Sequence, residues 1–119
     1  MIRRIPSEGP YASRVGYCRA VVHDGLVHVS GTVGQGDGVV AQCRDALRII
    51  GAALDEAGSG FDHALRVRYI LQDADEFEPC WPLLSETFGA NPPAATMIVA
   101  GLIDPKFRIE IELTAAVAP

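Results

Sequence analysis

Few side chains in this sequence stand at a spacing that performs chemistry. His23, His28 and His63 form no H-x-x-x-H pair and join no cysteine cluster, so no metal centre is expected. Cys18, Cys43 and Cys80 are odd in number and widely spaced, with no C-x-x-C, which reads as free thiols. Gly34, Gly36 and Gly38 lack the G-x-G-x-x-G spacing and the Gly-Lys-Ser/Thr ending of phosphate loops, so they read as a flexible connection. No motif for an organic cofactor is present. Two features remain. The stretch "NPPAATMIVAGLIDP", residues 91–105, carries two prolines into a short apolar run with no charge before Asp104. It looks like a loop feeding a strand, a usual place for a reactive group, yet position 95 is alanine. The second feature is alternating charge, Arg66 and Arg68 in one segment, Glu110 and Glu112 in another.

The elements that must hold these residues follow from periodicity. Ala20 to Val22 and Leu26 to Ser30 read as two strands around a His23-Asp24-Gly25 turn, because Asp-Gly tolerates positive φ. Val40 to Ala57 is a helix: Ala46, Leu47, Ile49, Ile50, Ala53, Leu54 and Ala57 recur at helical spacing, and Gly58 is a natural stop. Gln42, Arg44, Asp45, Arg48, Asp55 and Glu56 fall on its outer face. Ala64 to Leu71 alternates with period two, placing Leu65, Val67, Tyr69 and Leu71 on one side and Arg66 and Arg68 on the other.

Phe77, Cys80, Trp81, Leu84 and Phe88 step as a second amphipathic helix. Pro79 suits its first turn, whereas Pro82 bends or delays it, and Gly89 ends it. Ala95 to Val99 and Phe107 to Ala116 are strands, and Arg3 to Pro6 a weak one. The order β-β-β-α-β-α-β-β predicts a two-layer α+β domain, residues 1–119, with a six-stranded mixed sheet and two helices on one face. The opposite face then carries Arg66, Arg68, Glu110 and Glu112, either solvated or placed against another subunit.

Composition narrows the function. The 119 residues are 49 % hydrophobic and 21 % charged, ordinary for one globular domain. A net charge of -5, with ten basic residues and no dense block of them, disfavours nucleic acid as main partner. No run reaches the length of a membrane span, and "MIRRIPSEGPY" lacks a signal-peptide apolar core, so a cytoplasmic protein is expected.

From Gly16 to Val117 the order "GYCRAV…DGLVHVSGT", "AQCRDAL", "VRYILQDADEFE", "NPPAAT" and "FRIEIEL" resembles the RidA/YjgF family. The resemblance implies a homotrimer whose sheets surround a central barrel-like core, with small-molecule sites in clefts between subunits. It also implies cofactor-free hydrolysis of reactive imines and enamines to 2-keto acids and ammonia. The family's carboxylate-binding arginine follows "P-A"; here Pro93-Ala94 is followed by Ala95, so the chain looks like an arginine-lacking branch with an altered substrate range.

By the same resemblance Glu110 matches the site glutamate, Tyr17 a cleft tyrosine, and Ser30-Gly31 the loop bordering the pocket. Thr96 and Met97 line it. Glu110 can position a water or shuttle a proton if burial holds its pKa near neutral, and Tyr17 can donate a hydrogen bond. The structural alternatives are that Glu110 pairs with Arg66 or Arg68 and that Tyr17 only packs at the subunit boundary. Glu112 reads as structural, and Trp81 as a core or groove aromatic. Arg14, Arg19 and Arg68 are candidates to replace the missing cation. Two functions are therefore expected to compete: a cofactor-free enzyme acting on a C=N, enamine or related carbonyl compound, and a non-catalytic trimeric binding or regulatory protein. A third reading that the resemblance brings with it, endoribonuclease or translation inhibitor, is opposed by the acidic charge balance and by the lack of a histidine pair or base-stacking aromatics.

Overall fold

The structure is a computed structural model that describes all 119 residues. Six strands, β1 (Arg3–Ile5), β2 (Ala20–His23), β3 (Leu26–Val33), β4 (Ala64–Leu71), β5 (Ala94–Val99) and β6 (Ile109–Ala116), form one sheet in the order β1-β2-β3-β6-β4-β5. Only β4 and β5 run parallel, so the sheet is mixed, as expected. Helices α2 (Val39–Glu56) and α3 (Trp81–Phe88) share one 23-residue core with the sheet. A single turn, α1 (Ala12–Val15), was not anticipated, because four residues are too few to show a period.

Local chemistry explains the main elements. Asp24 and Gly25 both have positive φ, 52° and 78°, which lets β2 turn back on β3 over two residues. β6 alternates without a break. Ile109, Ile111, Leu113 and Ala115 are buried, while Glu110, Glu112 and Thr114 are half-buried on the other face. Full burial of Ile50, Leu54, Leu71, Ile109 and Ile111 stabilises the layer by roughly 1.5–3 kcal/mol per side chain. Gly58, at φ 79°, closes α2, and the Ser59 amide donates back to the Leu54 carbonyl at 2.8 Å.

Three expectations are corrected. Gln42 does not sit on the outer face of α2; it is 5 % exposed. Its Nε2 donates to the carbonyls of Gly36 and Lys106 at 3.2 and 3.0 Å, and its Oε1 accepts from the Arg108 amide at 2.7 Å. An amide side chain can be buried here because irregular backbone supplies every partner. Leu65 does not join the inner face of β4. Ala64 pairs with Ala115 and Arg66 with Thr114, so Leu65 is an extra, bulged residue and is 50 % exposed.

The second helix also starts later than Phe77. Tight 3₁₀ turns at Ala74–Glu76 and Glu78–Cys80 come first, and α3 begins at Trp81. Pro82 then stands in its first turn, where no amide donor is needed. The late start leaves Trp81 51 % exposed, edge-on to Phe77 at 6.1 Å. All three cysteines are free, with Cys43 and Cys80 buried.

Candidate functional site

The site begins with a bulge in β3. Val29 pairs with Leu113 and Thr32 with Ile111, so Ser30 and Gly31 together oppose Glu112 alone. Such an insertion bends the strand and re-aims its side chains. The Ser30 hydroxyl donates to the Cys18 carbonyl at 2.7 Å, and the Ser30 amide to the Arg19 carbonyl at 2.9 Å. The bulge is thereby tied to the segment before β2.

Glu110 lies against Gly31. A β-carbon at position 31 would stand 2.5 Å from Glu110 Oε2 and 2.9 Å from its Cδ, so only glycine leaves room for this carboxylate. Burial pushes the Glu110 carboxyl above its ordinary value, Glu112 pushes it further, and Arg19 partly opposes both. The expected pairing with Arg66 or Arg68 is not found. Arg68 Nη1 reaches Glu112 instead, at 3.0 Å, and Arg66 Nη1 donates to Thr96 Oγ1 at 3.2 Å. Glu110 forms no ion pair within 4.0 Å.

Arg19 reaches into the same place. Its Nη1 donates to the Gly31 carbonyl at 3.2 Å and to Thr32 Oγ1 at 2.7 Å, and its Nη2 donates to Ser7 Oγ at 2.9 Å. Its Cζ lies 5.9 Å from the centre of the Tyr17 ring. Tyr17 stands just after Gly16, whose φ of 91° turns the chain out of α1.

These residues open onto one cavity of about 920 Å³, lined among others by Tyr17, Arg19, Ser30, Gly31, Lys106 and Glu110. That is room for a metabolite-sized ligand. The chain does not bring the other candidates there. Arg14 is exposed on α1. Arg68 borders a second depression of about 240 Å³ with His28, Arg66, Glu112 and Thr114, and of these only Glu112 also lines the larger cavity. Ala95, Thr96 and Met97 are on β5, which β4 separates from β6. Ala95 pairs with Val67 and Thr96 with Arg68; both are exposed, while Met97 packs at the margin of the core.

Sequence reasoning named Arg19 only as one of three stand-in cations and did not name Lys106. A signal for Arg19 existed. Tyr17 and Arg19 are two residues apart in the short stretch leading into β2, close enough in the chain to serve one site. A half-buried carboxyl without a counter-ion, a tyrosine, a guanidinium and a backbone bulge can together hold a small polar molecule and move a proton to or from it.

The fold and this cleft define a small α+β ligand-pocket domain. The sequence profile of the family described as "Endoribonuclease L-PSP" matches residues 7–117. The chain belongs to that family, the RidA/YjgF family. It is 27 % identical over 128 aligned residues to human 2-iminobutanoate/2-iminopropanoate deaminase, covering 100 % of this chain and 93 % of the relative. A YjgF/YER057c/UK114-family crystal structure from Mycobacterium tuberculosis superimposes with a TM-score of 0.94 at 36 % identity, covering 98 % of this chain and 100 % of the other. A YjgF-family structure from Neisseria meningitidis gives 0.84 at 29 % identity, covering 100 % and 97 %. No helix is long and apolar enough to cross a membrane.

Proposed function

We propose that this protein is a cytoplasmic, cofactor-free hydrolase of a reactive imine or enamine, working as a homotrimer with its site in the cleft between subunits. The observation that carries the reading is the Glu110 carboxyl, half-buried over Gly31, free of any ion pair and raised in pKa by burial. A carboxyl raised in this way holds its proton more tightly than an exposed one and can accept and return a proton beside a bound ligand.

The reaction balances simply. Water adds its oxygen to the C=N carbon, with Glu110 accepting the proton that water loses. Glu110 returns that proton to the nitrogen, completing the carbinolamine. It then accepts the carbinolamine hydroxyl proton and passes it to the nitrogen as the C=O forms and the C–N bond breaks, releasing ammonia and the 2-keto product. An enamine first takes a proton on carbon to become the imine. Tyr17 donates a hydrogen bond to the substrate, and the Ser30-Gly31 backbone borders it. Relatedness to an iminobutanoate deaminase supports this chemistry.

A second copy supplies what one chain leaves distant. β5 is a sheet edge with an unpaired side, and Ile98, Val99 and the nearby Ile103 are 39 %, 55 % and 58 % exposed. Docking of that edge against a neighbour would bring Ala95, Thr96 and Met97 to the cleft. With alanine at position 95 the strand offers no guanidinium, so a substrate carboxylate has to be held from elsewhere in the cleft, and the substrate range is altered to the extent that this other hold differs.

The test is ammonia release from imines generated in situ by an amino-acid oxidase, with wild type and Glu110→Gln compared at equal trimer concentration by light scattering. Release above the blank that the variant loses supports the reading. No release across a broad panel of amino acids overturns it. That outcome would favour a binding or regulatory trimer, a reading helped by the fact that the Ser30 hydroxyl is already engaged by backbone. Such a protein would show ligand-dependent thermal stabilisation without turnover.

A further inference from the structure

The cations around the cavity differ in what already holds them. Arg48 is paired with Asp45 at 2.9 Å, and its side chain is 70 % exposed. Lys106 is exposed and lies over the Phe107 ring at 5.1 Å. Arg19 is half-buried and has no carboxylate within ion-pair distance. Its hydrogen-bond partners are all neutral: one carbonyl and two hydroxyls. Those three hydrogen bonds use three of the five N–H groups a guanidinium carries. Glu110 acts on Arg19 only through space, without a direct ion pair, so the half-buried guanidinium still gains from an anion that bonds its free N–H groups.

Its position fits that need. Gly31 is common to both groups: its carbonyl accepts from Arg19, and the space above its Cα is filled by the Glu110 carboxyl. The ties to Ser7, Gly31 and Thr32 also fix the guanidinium plane before any ligand arrives. A fixed planar fork recognises a carboxylate better than a mobile ammonium does.

We propose that Arg19 is the carboxylate anchor of this cavity, so that its ligand is a small 2-oxo or 2-imino acid bound by the free N–H groups of Arg19 with its reacting carbon over Glu110. The proposal rests on the Glu110 site described above and supplies, within the same chain, the cation that Ala95 lacks. Arg19 is a specificity-determining residue; it takes no proton.

The experiment compares 2-oxobutanoate with its neutral amide by titration calorimetry on wild type, Arg19→Gln and Arg19→Lys. Wild type should bind the acid about tenfold or more tightly than the amide. Arg19→Gln should lose that preference, and Arg19→Lys should keep part of it. Because Arg19 also ties Ser7 to Thr32, a variant can fail to fold. The ¹⁵N signals of the Arg19 side chain are therefore followed in wild type, and they should shift with the acid and not with the amide. Equal binding of acid and amide, no binding of the acid at millimolar concentration, a preference that survives in folded Arg19→Gln, or unshifted Arg19 signals would each overturn the proposal. Acid preference without imine turnover would leave the anchor standing and remove the catalytic reading.

Discussion

The carboxylate of Glu110 stands in the space that any side chain at position 31 would occupy. Gly31 therefore serves the site through an absence. The colliding atoms are the flexible end of Glu110, not backbone, so Gly31→Ala should fold with a stability loss near or below about 1 kcal/mol while swinging the carboxylate away. Imine hydrolysis should fall about tenfold or more, with the melting temperature lowered by no more than about 5 °C. Unaltered activity in the folded variant would remove Glu110 from the reaction in its present position.

Glu110 also imposes a pH dependence on stability. Its folded pKa is raised above the ordinary 4.5, mainly by burial. Below that ordinary value both states are protonated and there is no penalty. As pH rises through the window between the two values, the unfolded chain releases its proton first and the folded state loses stability. Glu110→Gln does not titrate. Its stability relative to wild type should therefore rise across that window and level off above the folded value. Urea unfolding over a pH series reads the difference, and a flat difference would contradict a raised carboxyl.

Ala95 is exposed on β5 of the single chain, so Ala95→Arg should change the stability of the protomer fold by no more than about 0.5 kcal/mol, and trimer assembly is checked by light scattering. In the trimer it should raise turnover of 2-imino acids about tenfold, and it should restore turnover to Arg19→Gln by providing another guanidinium. The oxidase-coupled ammonia assay decides this. A trimeric but inert variant would mean that a guanidinium at position 95 is not sufficient for the reaction.

Gln42 is the main polar staple of the layer between α2 and the start of β6. Gln42→Leu strands the Arg108 amide and two carbonyls. It should cost about 1–3 kcal/mol, seen as a lower urea midpoint at unchanged slope. The cleft should loosen as well, because Lys106 lines it and depends on the same staple.

Much of the framework was legible because it depends on near neighbours in the chain. The unbroken alternation of Ile109 to Ala116 and the Asp24-Gly25 turn each express a local steric or solvation preference. Gln42 and Trp81 were misplaced for a common reason. A helical pattern tells which face is apolar, but it cannot tell that loop carbonyls will satisfy a buried amide, or that Pro82 will start α3 a turn late and leave an indole in water.

By itself the sequence determined the strands, the two long helices, the layer they form, and the residue types available to a site. Only the tertiary structure decided that Arg19, not Arg68 or Arg14, stands with Glu110, and that Arg68 belongs to Glu112. The physical reason is register. The bulges at Ser30-Gly31 and at Leu65 shift pairing between strands far apart in the chain, and each shift changes which side chains meet.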